Sequence, residues 1–403
     1  MSVTSLARNG NLICLLVADA ILASSMPILI ILGGLAGLML APTMTLATLP
    51  ASLQTLAWLF AAAPFSLMMG KYGRKVGFIV GTFLTIVGAL VGTWALISGS
   101  FALLCVSHLI LGIGLTSLQY FRFAAAEVVS RDWRPVAISL VLTSGLIAAF
   151  VGPQIFIVTK DMLAPFSLAG GYAAIIVICL VGILPLAALN MPPTPQATRA
   201  PSTSRLASLA VLKRPAVRKA VVIGATSQGV MMFMMVPTTL AMIGCGFSEA
   251  SAGNVIRWHV VAMFAPSFFT GFLIKRFGVT PVVTVGLVLL AISAAIGISG
   301  QSATHFYGAL ILLGAGWNFS YIGATDMLAG AVPDAEKSVA QGANDTVIAL
   351  ISTLCAFVSG AVIAALGWTV LSAMTLGIVA LSFGVLFMNQ GGKRPASSTL
   401  TSH

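Results

Sequence analysis

Apolar runs of about twenty residues recur along the chain, separated by short polar stretches. Twelve can be marked, at 11–39, 50–69, 76–97, 101–125, 136–158, 168–190, 220–243, 253–274, 282–299, 305–330, 339–363 and 369–388. The apolar positions run on without alternation. A membrane-crossing helix needs about 20 such residues, so each run predicts a transmembrane helix and not a barrel strand. Between the sixth and seventh runs lies MPPTPQATRAPSTSRLASLAVLKRPAVRK, residues 191–219, rich in Pro, Ser and Thr and carrying six cations. It reads as a linker. The expected organisation is a six-helix bundle over 1–190, a cytoplasmic linker over 191–219, a second six-helix bundle over 220–390 and a cytoplasmic tail over 391–403.

Composition agrees with this reading. The 403 residues are 59% hydrophobic and 7% charged, against about 45–50% and about 25% in a soluble domain. The net charge of +11 would suggest nucleic acid in a soluble chain. Here it follows topology, and no nucleic-acid partner is expected. With the N-terminus in the cytoplasm, seventeen of the twenty Lys and Arg fall in cytoplasmic segments and only Lys160 in an external loop, with Arg122 and Arg257 inside helices. That bias predicts both termini inside, in a multi-pass protein of a bacterial inner membrane. The first apolar run exceeds the ~7–15 residues of a signal-peptide core, so it reads as a retained span. The five cysteines form no CxxC pair, and no cluster has metal-ligand spacing, so no metal is expected.

The two halves resemble each other. Lys71-Tyr72-Gly73 follows the second helix of the first half, and Arg276-Phe277-Gly278 the second helix of the other. LGIG (111–114) is matched by LGAG (313–316) in the fourth helix of each. Related halves suggest a transporter with its site between them. The stretch MMGKYGRKVGF (68–78) concentrates Lys71, Arg74 and Lys75 beside Gly70 and Gly73. It reads as a tight cytoplasmic turn, its cations holding it inside and its glycines permitting a sharp bend.

Ser66-Leu67-Met68-Met69-Gly70-Lys71-Tyr72-Gly73-Arg74-Lys75 resembles the loop 2–3 signature of the major facilitator superfamily, roughly G-x-x-x-D-[RK]-x-G-R-[RK]. Ser66 replaces the first glycine and Gly70 the acid. In that family the acid is thought to pair across the interface between halves, so its loss puts that lock in doubt. GWNFSYIGATDML (316–328) and QGANDT (341–346) are similar to a bacterial subgroup of mostly uncharacterised permeases. Gly145 with Gly152-Pro153 partly matches a helix-5 motif of family antiporters and slightly favours export; the alternative is a simple kink.

Ionisable groups in lipid-facing positions are expensive, so they are expected to face a cavity or a partner. Asp19 lies in helix 1. A carboxyl removed from water holds its proton more tightly, so Asp19 is the first candidate for proton coupling; a fixed hydrogen bond to a neighbouring helix is the alternative. His108 in helix 4 stands where the family often has an arginine implicated in proton transfer, and either that role or a packed neutral imidazole fits. Arg122, late in helix 4, is expected to pair with Asp326 or Asp345 at the closed cytoplasmic gate, with Gln341 and Asn344 in the same polar network. The alternative has both acids satisfied within their own half. Arg257 in helix 8 is assigned to an outer gate or anion attraction, or to snorkelling. Gln119, Tyr120 and Arg122 of helix 4 and Trp317, Asn318 and Tyr321 of helix 10 are the expected cavity wall.

The expected function is secondary transport of a small organic solute by alternating access, coupled to protons. Export by antiport is favoured over import by symport or facilitated diffusion. There is no GxxxxGK[ST] loop, and no cofactor is expected beyond the proton as coupling ion. The partners are the solute and the bilayer, with the monomer as default. A membrane enzyme or receptor is the remote alternative.

Overall fold

The computed structural model describes residues 8–43, 46, 49–191 and 210–387. Residues 192–209 of the expected linker and the tail 391–403 lie outside the described residues, and with them Arg199, Arg205, Lys393 and Arg394. Every regular element among the described residues is helical.

The first half runs through α1 (Gly10–Ala23), α2 (Ser25–Leu40), α3 (Leu49–Tyr72), α4 (Arg74–Ser98), α5 (Phe101–Leu115), α6 (Phe121–Glu127), α7 (Arg134–Thr159) and α8 (Ala169–Ala188). The second runs through α9 (Pro215–Gly244), α10 (Glu249–Phe264), α11 (Ser267–Phe277), α12 (Val279–Ser299), α13 (Ala303–Ala331) and α14 (Lys337–Phe387). Several breaks have local causes. Asn9 caps α1 by accepting from Leu12 N at 3.1 Å. Pro266, which has no N–H to donate, stands between α10 and α11. Gly73 at φ +93° and Gly278 at φ +86° form the tight turns before α4 and α12.

Among the described residues, ten helical segments are long and apolar enough to cross a membrane, against the twelve expected. Two features account for the difference. The span labelled α14 is two helices that meet at a kink at Gly367, where φ is +77°. Helix α13 has 29 residues but carries His305, Asn318 and Asp326, which lower its hydropathy. Apolar side chains such as Phe60, Phe83, Trp94 and Leu381 stand exposed on the outer surface, as a lipid-facing wall requires.

Two large apolar cores divide the molecule. One extends from Leu12 to Val221 and takes in Leu328, Val332 and Ala340. The other extends from Ile223 to Leu386. Smaller clusters join the halves: Ala126 and Ile138 meet Ile274, Val282 and Ile322, while Trp58 and Leu142 pack on Trp317, Tyr321 and Ile348. The halves touch where α3 packs on α14 and α7 on α11.

Candidate functional site: the closed interface below an aromatic floor

The helix carrying Arg122 changes winding before it reaches that residue. A 3₁₀ turn over Thr116–Tyr120 separates α5 from α6. This places Arg122 between the halves, 3% exposed. One of its terminal nitrogens donates to Asp345 Oδ1 at 2.6 Å, and the other to the Tyr321 hydroxyl. Its guanidinium also lies over the rings of Phe123 and Tyr321, 4.7 and 4.6 Å from their centroids. Asn344 donates to the same Asp345 oxygen at 2.8 Å. Of the two acids expected to pair with Arg122, the structure selects Asp345. Asp326 is half-buried on α13, and the terminal nitrogens of Arg122 go to Asp345 and Tyr321 instead.

Tyr321 extends this network upward. Its ring stacks on Trp317 at 4.8 Å and 16°, and Trp317 donates to Gln228 Oε1 at 2.8 Å. Phe264 stands edge-on to Trp317 at 5.9 Å and 79°. Gly145 lies against Phe264, where a Cβ would come within 2.7 Å of the ring. An ion pair thus lies beneath an aromatic floor, and Tyr321 belongs to both.

A second set of contacts ties the same end together. Arg74 grips Glu127 with two hydrogen bonds, of 2.7 and 3.1 Å, and donates to Gln341 Oε1 in the other half. Ser66 donates to the Ser338 carbonyl. Gly70 meets Ser338 so closely that a Cβ there would overlap its side chain. On the pseudo-symmetric side, Ser139 donates to the Ser267 carbonyl and its hydroxyl accepts from Gly271 N at 3.0 Å. Lys75 donates to the Ala187 carbonyl at 2.6 Å, while Lys71 is exposed beside Tyr72.

Asp19 is 7% exposed. The Ser144 hydroxyl bonds both its Oδ2 and the Val141 carbonyl. One hydroxyl proton serves one acceptor; a proton on Asp19 satisfies both contacts, because Ser144 then accepts from the carboxyl and donates to Val141. His108 is fully buried, between the Tyr172 hydroxyl at 2.7 Å and Gln54 Oε1 at 3.1 Å. A neutral ring with its proton on Nδ1 satisfies both. Gly152 packs on the Ser24 carbonyl oxygen and Pro27, with Pro153 next to it inside α7.

Three expected placements change. Asn318 is fully buried and bonded within its own half. It donates to the Met263 carbonyl at 2.8 Å and to Ser267 Oγ at 2.5 Å, and accepts from Thr270 at 2.7 Å. Its amide holds the break at Pro266 against α13. Tyr120 is fully buried and donates to the Ala62 carbonyl, so it is core and not wall. Arg257 is exposed on α10, outside both networks; Gln119 is half-buried on the 3₁₀ turn. Ser144, Tyr172, Gln54, Gln228 and Ser338 were missed from the sequence, since a Ser, Gln or Tyr in an apolar run carries no mark of its partner.

Two helical halves meeting over buried ionic and aromatic groups define a polytopic transporter, and the comparisons name its kind. No protein-family model matches the chain. Over 379 residues it is 38% identical to the riboflavin transporter RfnT of Brucella anthropi, spanning 93% of this chain and 94% of that protein. It is 30% identical over 346 residues to the uncharacterized MFS-type transporter YddS of Bacillus subtilis, spanning 80% and 78%. The crystal structure of the transporter FucP in the outward conformation matches with a TM-score of 0.76, covering 94% of this chain and 97% of that one at 20% identity, which shows a shared fold. The chain belongs to the major facilitator superfamily: it is a multi-pass membrane transporter and not an enzyme.

Proposed function

We propose that this transporter carries a small ring-bearing solute of the flavin class across a bacterial inner membrane, coupled to protons, with both termini in the cytoplasm. The observation that carries alternating access is the Arg122–Asp345 pair under the Trp317–Tyr321 stack. Parting the halves at that end has to break the pair and release Tyr321 from below. The likeness to RfnT supports the flavin class. Asp19, with a hydroxyl partner that suits its protonated form, supports proton coupling. Export by antiport is the first reading of direction. Import by symport is the second reading, and it draws support from the packing contacts of Gly145 and Gly152, which account for those glycines without antiport.

Flavins would be measured inside cells and in the medium, with wild type or Asp19→Asn at matched membrane levels. Wild-type depletion inside with accumulation outside is the expected result. Gain from the medium makes the protein an importer. If flavin levels are the same with and without the wild-type protein, the flavin reading fails.

A further inference from the structure

The buried stack has a partly open rim. Trp58 of α3, Met232 of α9, and Met263 and Phe264 of α10 pack against the cluster containing Trp317 and Tyr321, yet each keeps exposed surface. They come from both halves and converge on one cluster, so this surface faces the space between the halves. We propose that this surface is the ring subsite, and that it takes a planar, uncharged, fused heteroaromatic with hydrogen-bond acceptors along one edge. The proposal rests on the transport function above and sharpens its substrate.

Three observations carry it. The rim is made of flat rings and thioethers, polarisable groups that adapt to an aromatic face. Its free polar groups are donors. Trp58 Nε1–H is buried without an acceptor, and an unmade buried donor is costly. Gln228 uses its oxygen to accept from Trp317 and keeps its amide N–H groups for a ligand. Two donors call for carbonyl oxygens or ring nitrogens on the incoming edge. A cationic ligand, the other common guest of aromatic walls, is disfavoured because Arg122 already occupies the Tyr321 ring and the donors present positive edges. An anionic one is disfavoured because Arg122 is neutralised by Asp345.

The test is binding to the purified full-length protein of four probes: riboflavin, lumichrome (its fused ring without the sugar chain), ribitol (the chain without the ring) and a pterin. Lumichrome is expected to displace riboflavin, and ribitol to have no effect. Trp58→Phe, which keeps an aromatic ring but removes the N–H with part of the indole surface, and Gln228→Leu are each expected to weaken riboflavin about tenfold; Gln228→Leu also strands the Trp317 Nε1–H and should melt lower, whereas Trp58→Phe should fold as wild type. Should Gln228→Leu fail to fold, Trp58→Phe decides alone. Displacement by ribitol and not by lumichrome would overturn the ring subsite while leaving flavin transport standing. Binding of the pterin alone, weakened by Trp58→Phe, would uphold the subsite and refute the flavin reading. Variants that bind every probe as wild type does, or a wild type that binds none, would overturn the proposal.

Discussion

Gly70 and Ser338 meet across the two halves with no room between them for a side chain. The position where the superfamily signature places an acid is here a steric contact, supported by the neighbouring bond from Ser66 to the Ser338 carbonyl. Restoring the acid with Gly70→Asp should therefore force α3 and α14 apart. A cysteine pair at 66 and 338 would report this. Efficient cross-linking is expected in the Gly70 background and little in Gly70→Asp; equal cross-linking would show that the contact yields without cost.

Arg122 and Asp345 are both almost wholly removed from solvent. Removing one partner of such a pair strands the other and costs about 3–5 kcal/mol, whereas replacing both with apolar groups can cost little. Arg122→Leu and Asp345→Leu should each lower the melting temperature clearly, and the double variant should melt above either single one. A double variant whose loss equals the sum of the singles would show that the two residues act independently. Transport should be lost in all three if the pair is the gate.

Asp19→Asn keeps a donor for Ser144 and so preserves the fold while removing the exchangeable proton. Normal membrane levels with transport insensitive to external pH is the expected outcome. A pH dependence identical to wild type would remove Asp19 from the coupling role.

Asn318→Ala deletes three hydrogen bonds inside the second half and leaves buried donors and acceptors unmet, a penalty of about 1–3 kcal/mol. Stability should fall while solute affinity in the surviving protein stays near wild type. The reverse pattern, unchanged melting with lost affinity, would return Asn318 to the cavity wall.

The residues that were placed well and those that were not differ for physical reasons. Charge is so scarce here that Arg122 and Asp345 stood out, and period-3.6 spacing put Trp317 and Tyr321 on one face. Gly73 and Gly278 marked their turns through the repeat of basic, aromatic and glycine residues. Tyr120 went astray because Thr116–Tyr120 winds as 3₁₀, at three residues per turn instead of 3.6. That adds roughly 20° per residue, so any face extrapolated through it from α-helical geometry drifts. Asn318 went astray because an amide in an apolar helix can serve a cavity or its own bundle. Only the positions of Met263, Ser267 and Thr270 decide, and those depend on packing between distant segments.

Arg74 bonds in both directions at once, bidentate to Glu127 of its own half and singly to Gln341 of the other. When the halves separate, its ionic partner travels with it and only an amide is left behind. No charge is orphaned there, and water can replace what Gln341 supplied. The barrier to opening this end therefore falls mainly on Arg122 and Asp345, which would make Arg74 a reusable catch and that pair the latch whose release sets how often the carrier turns over.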